Sequence, residues 1–218
     1  RRGQRHAQGP PAAVGARHLH LGDPPIVGID FRPHDEPAAY RGAVQFIKSD
    51  PLSLGALVTT HKIDLLKACE DLFDDLDPHA RFMGEVSSIS KCEGKLIGHA
   101  KDPITSGLAL EAFLPPGHWE RTGAEVFVIG AGGSAIAITW YLMQEQHGAN
   151  RPSKIHVSNR STPRLEAIQR IHAQMPSRVP VEYLHSPAPR DNDAILGRLR
   201  PHSLVINATG LGKDSPGS

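Results

Sequence analysis

The sequence has little of several features that mark specialised protein classes. Its 24 Lys and Arg residues face 23 Asp and Glu residues, which gives a formal net charge of +1 over 218 residues. No excess of one sign is present to attract a nucleic acid or an acidic membrane surface. Apolar runs stay well short of the roughly 18 residues that a membrane-spanning helix needs. We therefore expect neither a nucleic-acid partner nor insertion into a membrane.

Cysteine is also scarce. Cys69 and Cys92 are the only two cysteines, and they do not have the spacing of metal ligands. The 13 histidines are scattered without partners at fixed offsets, so we expect no metal site. Few cysteines are typical of a protein that works under reducing conditions, and we predict a cytoplasmic location.

The first part of the chain differs from the rest. Residues 1–24 contain several arginines and no acidic residue before Asp23, and they lack the continuous apolar core of a signal peptide. The chain begins with Arg1 instead of methionine. We predict a disordered or non-native leader over residues 1–24, and we expect the chain to be a fragment.

From Pro25 onward, hydrophobic periodicity predicts strands and helices in alternation, which favours an α/β fold. A linker is expected at Pro115-Pro116-Gly117. The elements predicted before the linker are strands at 25–31 and 55–60, helices at 36–48, 63–73 and 108–114, and a hairpin of 85–90 with 96–99. Those predicted after it are strands at 125–129, 154–158, 179–183 and 203–207 and helices at 133–146, 164–172 and 193–199.

A glycine-rich turn follows the strand at 125–129 and opens a helix. Its residues are Gly130, Ala131, Gly132, Gly133 and Ser134. Glycines in this context permit a tight turn and let the backbone approach a pyrophosphate, which binds at the helix N-terminus. The motif predicts a dinucleotide site, the alternative being a plain glycine turn.

The end of the next strand bears on the choice of dinucleotide. An acidic residue there accepts hydrogen bonds from the ribose of NAD, whereas arginine accommodates the 2′-phosphate of NADP. Here Asn159, Arg160 and Ser161 follow the strand, and Arg164 comes four residues after Arg160. We predict NADP over NAD; the alternative is that the two arginines form a solvated basic loop.

Five segments resemble, in order, motifs of the shikimate dehydrogenase family, over about Ile26 to Gly212. They are Gly55-Ala-Leu-Val-Thr-Thr-His-Lys62, Gly94-Lys-Leu-Ile-Gly-His-Ala-Lys-Asp102, Val128-Ile-Gly-Ala-Gly-Gly-Ser134, Asn159-Arg-Ser161 and Ile206-Asn-Ala-Thr-Gly-Leu-Gly212. On residue type alone, Lys62 is an ordinary helix lysine and Asp102 a helix N-cap. The resemblance implies instead that they are the catalytic acid–base pair.

The resemblance also implies an organisation and a reaction. Residues 25–120 correspond to an open α/β substrate domain and residues 121–218 to a Rossmann-type NADP domain, both incomplete and both with mostly parallel sheets. Thr59 and Ser87 correspond to substrate-binding positions, and Asn207 and Thr209 to a segment beside the nicotinamide. The expected activity is hydride transfer between NADP(H) and a shikimate- or quinate-like hydroxy acid, the family reaction being reduction of 3-dehydroshikimate to shikimate. The expected assembly is a monomer or homodimer.

Some substrate-side positions depart from the family pattern. Ser87 replaces an asparagine, and Ala100-Lys101 replaces an asparagine–threonine pair. Loss of groups that pair with substrate hydroxyls changes selectivity strongly, so the particular alcohol is left open. Two alternative functions are a methylenetetrahydrofolate-dehydrogenase-like enzyme and a non-catalytic sensor of a metabolite or nucleotide.

Overall fold

The computed structural model describes residues 25–32 and 34–210. The leader predicted for residues 1–24 and the last predicted residues of the second domain, 211–218, lie outside the described residues. Residues 25–32 contain neither a helix nor a strand, so the strand predicted at 25–31 is wrong. An apolar run alone does not distinguish a strand from an irregular extended segment.

The first sheet has four strands in the order β1-β3-β4-β2. Strands β1 and β3 and strands β3 and β4 pair antiparallel, while β2 and β4 pair parallel. This sheet is therefore mixed, whereas mostly parallel pairing was expected. Its elements are α1 (Pro37–Ser49), β1 (Gly55–Leu57), α2 (Lys62–Cys69), β2 (Asp75–Leu76), α3 (Pro78–Met83), β3 (Ser88–Cys92) and β4 (Lys95–His99).

The predicted hairpin is confirmed, and it explains the antiparallel part of this sheet. Strands β3 and β4 are joined by Glu93 and Gly94, both with positive φ, 51° and 77°. Two central residues with positive φ match the twist of paired strands, and such a short connection can only join antiparallel neighbours.

The second sheet is fully parallel, in the order β7-β6-β5-β8. The α/β fold class is thereby confirmed, and the four strands predicted after the linker are all present with shifted ends. Its elements are α4 (Asp102–Phe113), α5 (His118–Thr122), β5 (Val126–Ile129), α6 (Gly133–Leu142), β6 (Ile155–Asn159), α7 (Thr162–His172), β7 (Val181–His185), α8 (Pro189–Leu196) and β8 (Leu204–Asn207).

The main core lies between the second sheet and its helices. Val126, Phe127 and Val128 of the central strand β5 are fully buried, which fits the continuous apolar run of a strand covered on both faces. Helix α4 packs closely on α6 because Gly107 has no side chain where the ring of Tyr141 lies. Asp102, at the start of α4, is thus carried on a helix anchored to the second sheet.

The predicted domain boundary at residues 120 and 121 falls within α5, and the division into two domains stays a prediction. Across the described part of the chain, the helices are too short or too polar to cross a membrane.

Candidate functional site

A cleft of about 1000 Å³ collects most of the predicted site residues. Its lining comes from the end of β1, the loop after β5, the loop after β6 and the segment after β8. Predicted site residues in the lining are Thr59, Lys62, Gly130, Ala131, Gly132, Gly133, Ser134, Asn159, Arg160, Ser161, Arg164 and Thr209. Asp102, Ser87 and Asn207 do not line it.

The glycine turn lies where the direction of the sheet order reverses. Strand β5 has β6 on one side and β8 on the other, and ligands of open parallel sheets bind outside the carboxyl ends of strands at such a point. Gly130 has φ +111°, and a Cβ there would lie 2.8 Å from the carbonyl oxygen of Ala208. Only glycine fits this position, which leaves the loop backbone open to the cleft.

Helix α6 begins at Gly133, directly after this turn. Its first N–H groups have no partner within the helix and, together with the helix dipole, favour a negatively charged group. Over its ten residues the helix is almost entirely apolar in sequence, with Ala135, Ile136 and Ala137 buried. The turn and helix therefore fit the pyrophosphate of a dinucleotide.

Lys62 and Asp102 form an ion pair, in which the ammonium of Lys62 donates to Oδ2 of Asp102. Each is the first residue of its helix, α2 and α4 respectively. The side chains are 20% and 26% exposed, so a ligand can still reach the ammonium from the cleft. Asp102 does not act as the helix N-cap, a position taken by Lys101.

Two neighbours position the start of α2. The ring nitrogen Nδ1 of His61 lies 3.0 Å from the hydroxyl of Tyr40, which is 1% exposed. The carbonyl of Lys62 accepts a hydrogen bond from the N–H of Val86 at 3.2 Å. Lys62 is thus tied by its backbone to the segment that leads into β3.

Glu85, next to Val86, is a cleft residue that sequence reasoning missed. It is 3% exposed and lines the cleft beside Lys62. Burial raises the pKa of its carboxyl, the charge of Lys62 opposes this effect, and the charge of Asp102 adds to it. Its Oε1 atom is buried without a hydrogen-bond partner among the described residues. In the sequence, a single glutamate at the start of the predicted hairpin looks like an ordinary surface acid.

The residues predicted to select NADP, which lie at and after the end of β6, all line the cleft. The amide of Asn159 donates to the carbonyl of Ser161 at 3.0 Å and so closes the turn after β6. Arg160 and Arg164 are exposed, and within residues 34–210 neither forms an ion pair with a carboxylate. Their guanidinium groups are available to an anionic ligand.

Other predicted residues have structural partners. The hydroxyl of Ser87 accepts from the N–H of Lys101 at 2.8 Å, and the residue is 2% exposed. The ammonium of Lys101 pairs with Asp77 at 3.2 Å and not with Asp102. The side-chain oxygen of Asn207 accepts from the N–H and the hydroxyl of Thr209, at 3.0 and 2.7 Å, and so orients the segment beside the glycine turn.

Comparison with known proteins finds curated relatives at 26–31% sequence identity. No family model matches the chain. A shikimate dehydrogenase (NADP(+)) of Methanopyrus kandleri is 28% identical over 199 residues, covering 91% of this chain and 59% of the relative. Those of Geobacter sp. and Lactococcus lactis are 30% and 28% identical over 158 and 141 residues, covering 72% and 65% of this chain and 49% and 46% of the relatives. The chain spans about half the length of the curated relatives it matches.

Solved structures share the fold. A shikimate dehydrogenase from Aquifex aeolicus superposes with a TM-score of 0.63 at 20% identity, covering 93% of this chain and 64% of that one. The Listeria monocytogenes shikimate 5-dehydrogenase, solved with shikimate and NAD, gives 0.62 at 21% identity, with 91% and 62% covered. A 5-ketofructose reductase of Gluconobacter sp. gives 0.58 at 24% identity, with 93% and 67% covered. In sequence the chain is similar to curated shikimate dehydrogenases, and it shares its fold with the solved structures of such enzymes.

Proposed function

We propose that this chain carries the active site of an NADP-dependent dehydrogenase that acts on a hydroxy acid of the shikimate or quinate type. The reaction is reduction of 3-dehydroshikimate to shikimate or of a close analogue. The observation that carries the proposal is that Lys62, held by Asp102, lines the same cleft as the glycine turn after β5. A proton-transferring group and a dinucleotide-binding turn in one cleft are what a nicotinamide-dependent dehydrogenase requires.

The residues present fit NADP(H). Gly130 leaves the space that a side chain would fill, and the start of α6 suits the pyrophosphate. Arg160 and Arg164 suit the 2′-phosphate, because two planar guanidiniums bind a phosphate through several charged hydrogen bonds. When bound, the nicotinamide supplies or accepts the hydride.

Lys62 moves the proton that must accompany hydride transfer. During reduction its ammonium donates a proton to the carbonyl oxygen and becomes a neutral amine. During oxidation the neutral amine takes the proton of the substrate hydroxyl and becomes the ammonium again. Asp102 accepts a hydrogen bond from the ammonium and thereby fixes where Nζ lies. Because the pair is partly enclosed, water competes less for the ammonium than it would at an open surface.

The names of the relatives support the choice of substrate class and of NADP. Ser87, Ala100 and Lys101 differ from the family pattern on the substrate side, so experiment must determine which alcohol is the substrate. The hydroxyl of Ser87 is hydrogen-bonded to the backbone of Lys101, and the ammonium of Lys101 pairs with Asp77. We therefore propose that both residues bind substrate less directly than Thr59, which lines the cleft.

We also place the activity in the cytoplasm. Cys69 and Cys92 are both free, which suits a reducing compartment. Cys69 is buried, and burial raises the pKa of its thiol to about 11, so it acts as a small apolar residue and not as a nucleophile.

A side-by-side titration tests the proposal on the intact gene product. We expect NADPH to quench or shift protein fluorescence at lower concentration than NADH, and a panel of cyclic polyhydroxy acids to reduce NADP+ measurably. Failure of NADPH to bind would refute the proposal. Binding of NADPH or of a polyhydroxy acid without turnover of any member of the panel would favour a sensor, to which the changed substrate positions point.

A further inference from the structure

Glu85 is buried in the cleft without a role in the proton transfer described above. A carboxyl group that is 3% exposed is ordinarily hydrogen-bonded within the protein, because a buried polar atom without a partner is unfavourable. Its Oε1 atom has no such partner among the described residues. An atom of this kind, on a side chain that lines a ligand cleft, indicates that the partner is a ligand.

The position of Glu85 narrows the choice of ligand group. On one side, its Oε2 atom abuts the start of α6, where a Cβ on Gly133 would lie 2.7 Å from it. On the other side, the charges of Lys62 and Asp102 both act on the carboxyl, and the following residue is hydrogen-bonded to the carbonyl of Lys62. Glu85 thus stands between the turn that suits the pyrophosphate and the lysine that suits the reacting alcohol.

The covalent order of a dinucleotide fixes what lies between those two points. The nicotinamide, which reacts near Lys62, is joined to the pyrophosphate, which suits the start of α6, by a ribose with two neighbouring hydroxyls. Hydroxyls donate hydrogen bonds to a carboxyl oxygen, whereas a phosphate would repel an ionised carboxylate. The raised pKa of Glu85 fits a site close to a pyrophosphate, since the neutral form is not repelled and can also donate.

We propose that Glu85 binds the hydroxyls of the nicotinamide ribose when NADP(H) occupies the cleft. The inference rests on the proposed function and names a further binding residue for its cofactor. It assigns the unpartnered Oε1 atom to a ribose hydroxyl and gives Gly133 a second reason to lack a side chain, since a Cβ there would displace the carboxyl.

Two ligands separate this contact from the rest of the cofactor site. NADPH contains the nicotinamide ribose, whereas adenosine 2′,5′-bisphosphate contains only the adenosine half with its 2′-phosphate. For Glu85→Ala we expect the Kd of NADPH to rise about tenfold, because one or two hydrogen bonds to the cofactor are lost. The Kd of adenosine 2′,5′-bisphosphate should stay unchanged. Glu85→Gln keeps one carbonyl acceptor, so its loss should be smaller.

The controls use the same titrations. Glu120→Ala removes an exposed glutamate of α5 that does not line the cleft and should change neither Kd. Unchanged adenosine 2′,5′-bisphosphate binding also shows that the Glu85 variants are folded at the cleft.

Three results would overturn the proposal. An unchanged NADPH affinity in Glu85→Ala would exclude the ribose contact, and an altered KM for the alcohol alone would assign Glu85 to the substrate instead. Equal weakening of both ligands would assign it to the structure of the cleft. If the wild-type protein bound neither ligand, the proposed function itself would fail. If the wild-type protein bound both ligands and Glu85→Ala bound them equally well, only the assignment of Glu85 would fail.

Discussion

The ammonium of Lys62 donates to the carboxylate of Asp102 although 40 residues separate them in the sequence. Each residue starts a helix. Lys62 starts α2, which follows the first strand of the mixed sheet, and Asp102 starts α4, which packs on α6 of the parallel-sheet half. A partly exposed ion pair contributes little to stability. Its removal should therefore affect turnover far more than folding.

Replacing Lys62 tests the proton transfer. We expect Lys62→Ala to lower kcat by about 10²- to 10⁴-fold, the usual contribution of a general acid–base group, while NADPH still binds. Steady-state kinetics and fluorescence titration measure the two effects. Lys67→Ala, at an exposed position of the same helix, should leave both unchanged. Activity retained in Lys62→Ala would assign proton transfer to another group.

Asp102 should act only through Lys62. Asp102→Asn removes the charge that holds the ammonium, so we expect a lower kcat with little change in the Kd of NADPH. The double variant Lys62→Ala/Asp102→Asn should be no slower than Lys62→Ala, because residues that work as a unit have non-additive effects. Additive losses in kcat would show that Asp102 has a separate role at the substrate.

Arg160 and Arg164 should determine the preference for NADPH over NADH. Each is exposed and lines the cleft, and removal of a charged hydrogen bond to the 2′-phosphate should raise the Kd of NADPH about ten- to hundredfold. The Kd of NADH, which lacks that phosphate, should not change in Arg160→Ala or Arg164→Ala. Arg170→Ala, on the same helix as Arg164 but outside the cleft lining, is the matched control. A parallel loss for both cofactors would contradict the assignment.

The dinucleotide turn could be predicted from sequence because its signals are local. A buried strand, a glycine turn and an apolar helix follow one another within residues 125–146, and the structure places β5 and α6 there. Strand β2 and helix α3 could not be predicted in this way because they have two and six residues, too few for a periodicity. The antiparallel part of the first sheet follows from the predicted hairpin, which is inconsistent with the expectation of a mostly parallel sheet. Asp77-Pro78 is nevertheless an N-cap followed by proline, a signal that could have revealed α3.

Contacts between residues that are distant in the sequence could not be predicted from local sequence patterns. Lys62 and Asp102 were selected through the family resemblance, since neither residue type nor spacing links two positions 40 residues apart. Glu85 was missed because its burial depends on the approach of Gly133, which is distant in sequence. The segment around Ser186 to Asn192 also lines the cleft, and its proline-rich sequence gave no chemical signal.

The burial of Glu85 predicts how stability changes with pH in the absence of ligand. The pKa of its carboxyl in the folded chain lies above the ordinary value of 4.5, so the unfolded chain releases its proton first. This group therefore lowers the free energy of unfolding as the pH rises above about 4.5, until the folded carboxyl also ionises. Glu85→Gln should remove that part of the pH dependence, measured by urea unfolding. The same slope in the variant would show that other groups cause it.

His172 predicts a pH dependence of the opposite sign. The hydroxyl of Thr139 donates to the carbonyl of Ala135 at 2.7 Å, so its oxygen is left to accept from Nε2 of His172 at 2.7 Å. The other ring nitrogen, Nδ1, then accepts from the hydroxyl of Tyr183 at 2.8 Å. This arrangement holds the imidazole neutral.

Burial lowers the pKa of His172 from 6.5 to about 4, so between these values the unfolded chain binds a proton that the folded chain does not. The free energy of unfolding should fall as the pH drops through this window, by at most about 3 kcal/mol. His172→Phe should abolish this contribution in urea unfolding measured from pH 7 to pH 4. Tyr183→Phe removes one hydrogen bond but leaves the imidazole buried, so it should lower stability and preserve the pH dependence. If both variants lost the dependence equally, the hydroxyl of Tyr183, and not burial, would be what keeps His172 neutral.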